Sequence, residues 1–207
     1  SSLFIIRHPI NHTPEFIASE LHTDAKVLNA GDGTHQHPSQ CLTDLMTISH
    51  HFPNFETLSV AILGDTFHSR VAESLLVGLT TMGTTDIRYI CPPPLIPENP
   101  QLHENIKLLS IEDGLENVDI IVCLRVQKER IETTNNIPDQ ASYFKDFALT
   151  KERLSLASPY AIVMHPGPIN RGFEIESNVA DGDQSVILQQ ASNSIPMRMA
   201  IIEALLN

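Results

Sequence analysis

Asn29-Ala30-Gly31-Asp32-Gly33-Thr34-His35-Gln36-His37-Pro38-Ser39-Gln40 is the stretch that decides the fold. It leaves a short apolar run (Val27, Leu28), turns at Gly31 and Gly33, and passes through two histidines and Pro38 into a segment of helical periodicity. A strand that gives way to a helix through a polar turn is the unit of an open α/β sheet. Such sheets bind ligands in the crevice outside the carboxyl ends of their strands. Loops of this kind also carry function more often than the elements they join.

Working outward, the same arrangement recurs. Strands are expected at 3–6, 27–30, 58–63, 86–90, 119–124 and 161–164, most of them continuous apolar runs. Continuous runs suit strands buried on both faces, as in parallel sheets. Between them lie helical patterns at 14–22, 39–50, 69–82, 150–156 and 184–206. In the third, Val71, Leu75, Leu79 and Met82 form one stripe. Pro196 is expected to kink or divide the last. Cys91-Pro92-Pro93-Pro94-Leu95-Ile96-Pro97 cannot be a central strand and reads as a stiff loop. Alternation of strand and helix implies parallel βαβ units. A domain junction is expected along the 39–50 helix, with only two strands before it, too few for a domain that stands alone.

The 207 residues carry 13 Lys and Arg against 25 Asp and Glu, a net charge of −12. That balance excludes the basic footprint of a nucleic-acid binder. A hydrophobic fraction of 42% argues against disorder. No apolar run approaches the roughly 18 residues a membrane span needs, so no membrane partner is expected. Cys41, Cys91 and Cys123 are odd in number and far apart, and read as reduced, mostly buried thiols, which points to the cytoplasm.

Five strand ends deliver polar groups: Arg7-His8-Pro9; His35, His37 and Gln40; Gly64-Asp65 with His68 and Arg70; Arg125 to Arg130; and His165-Pro166-Gly167-Pro168. If the sheets are parallel, these share one crevice. The chain has eight arginines, and Arg7, Arg70 and Arg125 sit at such points. Arg70 falls in the first turn of a helix, where the macrodipole disfavours a cation by several tenths of a kcal/mol. A bound anion would reverse that cost, and guanidinium forks match carboxylates and phosphates. The residues therefore imply a site for a small polyanionic substrate. His12, His22, His50, His51 and His103 are read as structural or exposed. His35 and His37 have no neighbouring ligand set, so no metal is expected. Gly31-Asp32-Gly33 lacks dinucleotide-loop spacing, so no nucleotide cofactor is expected either.

At these residues the chain resembles the aspartate branch of the aspartate/ornithine carbamoyltransferase family. The matching pieces are Ile6-Arg7-His8-Pro9, Asn29 to Gln40, Gly64-Asp65 with Ser69-Arg70, Arg125-Val126-Gln127-Lys128-Glu129-Arg130, His165 to Gly172, and Gln189-Gln190 with Arg198. They occur in family order from end to end. His165-Pro166-Gly167-Pro168 separates the aspartate branch from the ornithine branch, where His-Cys-Leu-Pro is expected. Family members begin well before Ser1, by about a third of the whole, and that part holds the Ser-Thr-Arg-Thr phosphate motif and a lysine lent by a neighbouring subunit. On this resemblance the 207 residues alone are expected to be inactive.

The resemblance implies two doubly wound parallel-sheet domains. Residues 1–50 are the remnant of a carbamoyl phosphate-binding domain, completed by the helical segment 184–207. Residues 51–183 form the aspartate-binding domain. It implies carbamoyl transfer from carbamoyl phosphate to L-aspartate in pyrimidine biosynthesis, without cofactor or metal, by a homotrimer with shared active sites. A regulatory chain or a dihydroorotase could accompany it. His37 and Arg7 are implied as catalytic. Arg7, His37, Gln40, Pro166 and Gly167 would hold carbamoyl phosphate, and Arg70, Arg125 and Gln127 would hold aspartate. Arg198 is given a structural or domain-coupling role. Two other readings compete: a carbamoyltransferase for another amino acid, and a non-catalytic structural or regulatory homologue.

Overall fold

Alternating side chains build the larger of two parallel sheets. Val60 and Ile62 of β3 (Ser59–Leu63) point to one face, and Ala61 and Leu63 to the other; all four are buried. This computed structural model describes residues 2–97, 106–126 and 138–207. Its first sheet pairs β1 (Leu3–His8) with β2 (Lys26–Asp32) in parallel, joined by α1 (Thr13–Glu20). The second contains β3, β4 (Asp86–Ile90), β5 (Ile106–Leu108), β6 (Ile120–Cys123) and β7 (Ile162–Met164), in the order β5-β4-β3-β6-β7. All its pairings are parallel.

Helices cover both faces of the second sheet. On one face Val60, Ile62, Ile87, Ile120 and Val122 meet Leu75, Leu76 and Leu79 of α3 (Arg70–Thr81) and Ile48 of α2 (Pro38–Ser49). On the other, Ala61, Leu63, Ile121 and Val163 meet Ile111 and Leu115 of α4 (Ile111–Leu115) and Val179 of α7 (Ser177–Ala180). Burying one such aliphatic side chain contributes about 2 kcal/mol, so these two layers supply most of the apolar stabilisation. Between them in the chain lie α5 (Gln140–Phe147) and α6 (Lys151–Leu154). The final helix, α8 (Ile187–Leu206), returns to pack on α2, which also packs on α3. Thus α2 links the two-stranded sheet to the five-stranded one.

The six expected strands and five expected helices are all present, β4 with the expected ends and the others shifted by one to three residues. β5, α4, α5 and α7 are additional. β5 has three residues, α7 four and α4 five, while α5 has eight. Of the two outcomes expected at Pro196, a kink or a division, division is not seen: α8 runs through it as one helix. A proline forfeits one N–H and crowds the carbonyl four residues back, and the 20-residue helix absorbs this. The stiff segment after Cys91 holds a 3-10 turn at Pro93–Leu95, and the buried Leu95 gives its carbonyl to Thr66 and Phe67.

In the five-stranded sheet the chain leaves β3 on one side, through β4 and β5, and crosses back to β6 on the other. The switch point therefore falls between the carboxyl ends of β3 and β6, where Leu63 stands opposite Cys123. Gly64 makes the close approach there: a Cβ on it would stand 2.7 Å from the Leu124 carbonyl oxygen, at φ +117°. Among the described residues no helix is long and apolar enough to cross a membrane.

Candidate active site

Arg125 follows β6 directly, and Arg70 opens α3 just after β3. Ser69 caps that helix by accepting the Ala72 N–H at 3.2 Å, worth about 1 kcal/mol. Arg7 lies near the end of β1, and His37 and Gln40 stand at the start of α2. Pro166 and Gly167 follow β7. All seven line one cleft of about 360 Å³, together with Ser69, Val71, Leu124, Pro168 and Arg198. Seven of the eight expected site residues are thus brought together. The eighth, Gln127, lies outside the described residues.

Four arginines line this cleft in a chain of net charge −12. Arg198, given a structural or domain-coupling role, also lines the cleft, from α8, with its Nη1 donating to the Ser194 carbonyl at 3.2 Å. The helical return of the chain brings it there, and no strand end marks it. Arg70 crosses to the two-stranded sheet, where its Nη1 reaches the Gly33 carbonyl at 3.4 Å. Gly31 makes room for it at φ +112°; a Cβ there would stand 2.9 Å from the guanidinium carbon.

The other strand-end histidines do not line the cleft. His8 Nδ1 accepts the Ile10 N–H at 3.2 Å and meets Thr13 Oγ1 at 3.0 Å. His35 Nδ1 meets Asp32 at 3.0 Å, and its ring lies 4.0 Å from that of His12. The Asp32 carboxyl is held down at about 2: burial opposes ionisation, but bonds from Asn29, His35 and the His12 N–H outweigh it. His68 bonds Asp65, also at 3.0 Å. His165 is buried behind the cleft, where its Nδ1 accepts the Gly167 N–H at 2.9 Å and its Nε2 meets Glu174 at 3.2 Å. It shapes the 165–168 turn from within. On the surface, His12, Glu15 and His35 bring ligand-capable atoms within 4.8 Å of one another. His35 thus has ligand-capable neighbours that sequence spacing did not show, while His37 lines the cleft.

Two buried groups set the electrostatics. His37 is pushed down to about 4, first by burial and then by the charges of Arg70, Arg7 and Arg198. It is therefore a neutral imidazole at pH 7. Its backbone N–H donates to Ser74 Oγ at 2.8 Å, which ties the start of α2 to α3. Ser39 Oγ lies 3.4 Å from His37 Nδ1. A hydroxyl donating to Nδ1 leaves Nε2 as the N–H donor. Asp44 is buried one turn beyond Gln40 and accepts from Gln40 Nε2 at 2.8 Å and Gln190 Nε2 at 2.7 Å. Burial nonetheless pushes its carboxyl up to about 7.

Fold and cleft together define a class: an open parallel α/β protein whose cationic site lies where the strands of two sheets end. Sequence comparison carries this to a family. The model for the aspartate/ornithine carbamoyltransferase Asp/Orn binding domain matches residues 56–205, and that for the carbamoyl-P binding domain matches residues 1–50. The chain belongs to the aspartate/ornithine carbamoyltransferase family. It is 50% identical over 205 residues to the aspartate carbamoyltransferase catalytic subunit of Ruthia magnifica subsp. Calyptogena magnifica, covering 99% of this chain and 63% of that one. It is 51% identical over 203 residues to that of Coxiella burnetii, covering 98% and 64%. The chain thus spans a little under two thirds of the length of these relatives. Among solved structures, aspartate transcarbamoylase from Trypanosoma cruzi in complex with N-(phosphonacetyl)-L-aspartic acid aligns with a TM-score of 0.82 at 27% identity, over 98% of this chain and 65% of that one.

Proposed function

We propose that this cleft is the catalytic site of an aspartate carbamoyltransferase, which joins carbamoyl phosphate to L-aspartate to give N-carbamoyl-L-aspartate and phosphate. The observation that carries the reading is the meeting of Arg7, His37 and Gln40 with Arg70, Arg125 and the 165–168 turn in one cleft. About half of all residues are also shared with relatives of that name.

The chemistry asked of the site is simple. The aspartate amine attacks the carbamoyl carbon, a C–N bond forms, the C–O bond to phosphate breaks, and the amine proton leaves with the phosphate. Negative charge gathers on the carbonyl oxygen, so preorganised donors there lower the barrier. His37 suits this task because it is neutral and keeps an N–H to donate. Arg7 donates to the same oxygen and neutralises the departing phosphate. Gln40 and the backbone carbonyls of Pro166 and Gly167 accept from the carbamoyl NH2. Arg70, Arg125 and Gln127 take the two aspartate carboxylates. Nothing in this scheme needs a cofactor; positioning alone can supply many kcal/mol.

On this reading residues 1–50 and 184–207 belong to the carbamoyl phosphate-binding domain and 51–183 to the aspartate-binding domain. The whole protein then acts in the cytoplasm in pyrimidine biosynthesis, as a homotrimer with shared sites. The test is an assay of the purified whole protein, not of these 207 residues alone, with carbamoyl phosphate and either L-aspartate or L-ornithine. Carbamoyl-aspartate is the expected product. Citrulline, or no product with either amine, would refute the reading.

A further inference from the structure

Deep beneath the cleft, one carboxyl oxygen takes two amides. Asp44 is fully buried, and its Oδ1 accepts from both Gln40 Nε2 and Gln190 Nε2, while its Oδ2 has no hydrogen-bond partner among the described residues. An oxygen that can only accept settles which way each amide points. Gln40 has its NH2 end committed inward, so its carbonyl is the end left for the cleft it lines. Gln190 has its own carbonyl on the His165 N–H at 2.9 Å. His165 in turn receives the Gly167 N–H. The backbone that offers the Pro166 and Gly167 carbonyls is therefore anchored to the same carboxyl.

We propose that Asp44 is a positioning residue that aims the Gln40 carbonyl and the 165–168 turn at the substrate, so that the site selects an acyl phosphate bearing NH2 over one bearing CH3. This rests on the carbamoyl phosphate reading and extends it to a residue that touches no substrate. Burial pushes the carboxyl up to about 7, so it is about half protonated at pH 7, and both forms accept at Oδ1. The role thus needs an acceptor and no charge.

The experiment compares carbamoyl phosphate with acetyl phosphate, which carries a methyl in place of NH2. Dissociation constants for both are measured on the purified whole protein and its variants. In Asp44→Leu the preference for carbamoyl phosphate should fall about tenfold, the loss of one or two hydrogen bonds, while acetyl phosphate binding changes less than about twofold. Asp44→Asn keeps the acceptor oxygen and should keep the preference. Gln190→Leu leaves Asp44 and Gln40 in place and should lower the preference roughly threefold, which provides a test even if Asp44→Leu does not fold. An unchanged preference in Asp44→Leu or Gln190→Leu, an equal loss of both ligands, or an Asp44→Asn variant as impaired as Asp44→Leu would overturn the proposal. Absence of any preference in the wild type would remove the carbamoyl reading itself, and the proposal with it.

Discussion

Replacing Asp44 with asparagine should change how stability depends on pH, with a sign and size set by its burial. Asp44 ionises near 3.8 when exposed and near 7 in the native protein. Between those values the folded chain holds a proton that the unfolded chain has released, so raising the pH favours unfolding. Three pH units at about 1.4 kcal/mol each amount to roughly 4 kcal/mol lost between pH 4 and 7. His37 works in the opposite direction. It takes a proton near 6.5 when unfolded and only near 4 when folded, so acidification across that window costs roughly 3 kcal/mol. The wild type should therefore be comparatively flat from pH 4 to 6.5. Asp44→Asn removes one arm of the balance, and its stability should climb with pH. The clean quantity is the variant's stability minus that of the wild type, in which His37, Asp32 and all other groups cancel. That difference should rise by roughly 4 kcal/mol from pH 4 to 7 and then level off, which is on the order of 10 °C in Tm for a chain of this size. Thermal unfolding followed by circular dichroism at half-unit pH steps measures it. A difference that stays constant across the range would refute the reasoning, because it would mean that Asp44 is already ionised in the native protein.

In the whole protein, Arg125→Ala should raise the KM for aspartate roughly 10- to 100-fold, the value of a charge-assisted bond, and leave carbamoyl phosphate binding nearly intact; equal losses for both ligands would contradict its assignment. His37→Ala should lower kcat by roughly 10²- to 10³-fold with little effect on aspartate affinity, as expected for a donor that acts mainly in the transition state. A surviving kcat would make His37 structural. Gly31→Ala places a Cβ against the Arg70 guanidinium at a φ of +112°, and steady-state kinetics should show a KM for aspartate raised roughly three- to tenfold. Unchanged kinetics would show that Arg70 acts independently of its seat on Gly31.

The parallel sheets were legible because both faces of the second sheet are buried, and strands such as Val60–Leu63 then read as unbroken apolar runs. Among the missed elements, β5 and α7 carry no readable pattern. The three residues of β5 and the four of α7 are too few to show a period, and their place is set by the sheet edge and layer they complete. Pro196 does not divide α8, although local propensity disfavours a proline inside a helix. Strand-end logic found Arg7, Arg70 and Arg125 because a parallel sheet gathers at one edge the residues at the carboxyl ends of its strands. It missed Arg198, which reaches the cleft from the middle of a helix. It also over-read His8, His35, His68 and His165, each of which has a local partner that alternating patterns do not reveal. Asp44 was invisible for a different reason: its role depends on Gln190, 146 residues away.

The central claim is that one cleft holds both the phosphate and the dicarboxylate halves of the reaction. Calorimetric titration of the purified protein with N-(phosphonacetyl)-L-aspartate, which joins the two halves, tests it most directly. The account predicts one site per chain, with affinity above that of either phosphonoacetate or aspartate alone, and a marked loss in both Arg7→Ala and Arg125→Ala. Binding no tighter than the separate halves, or binding lost in only one of the two variants, would contradict it.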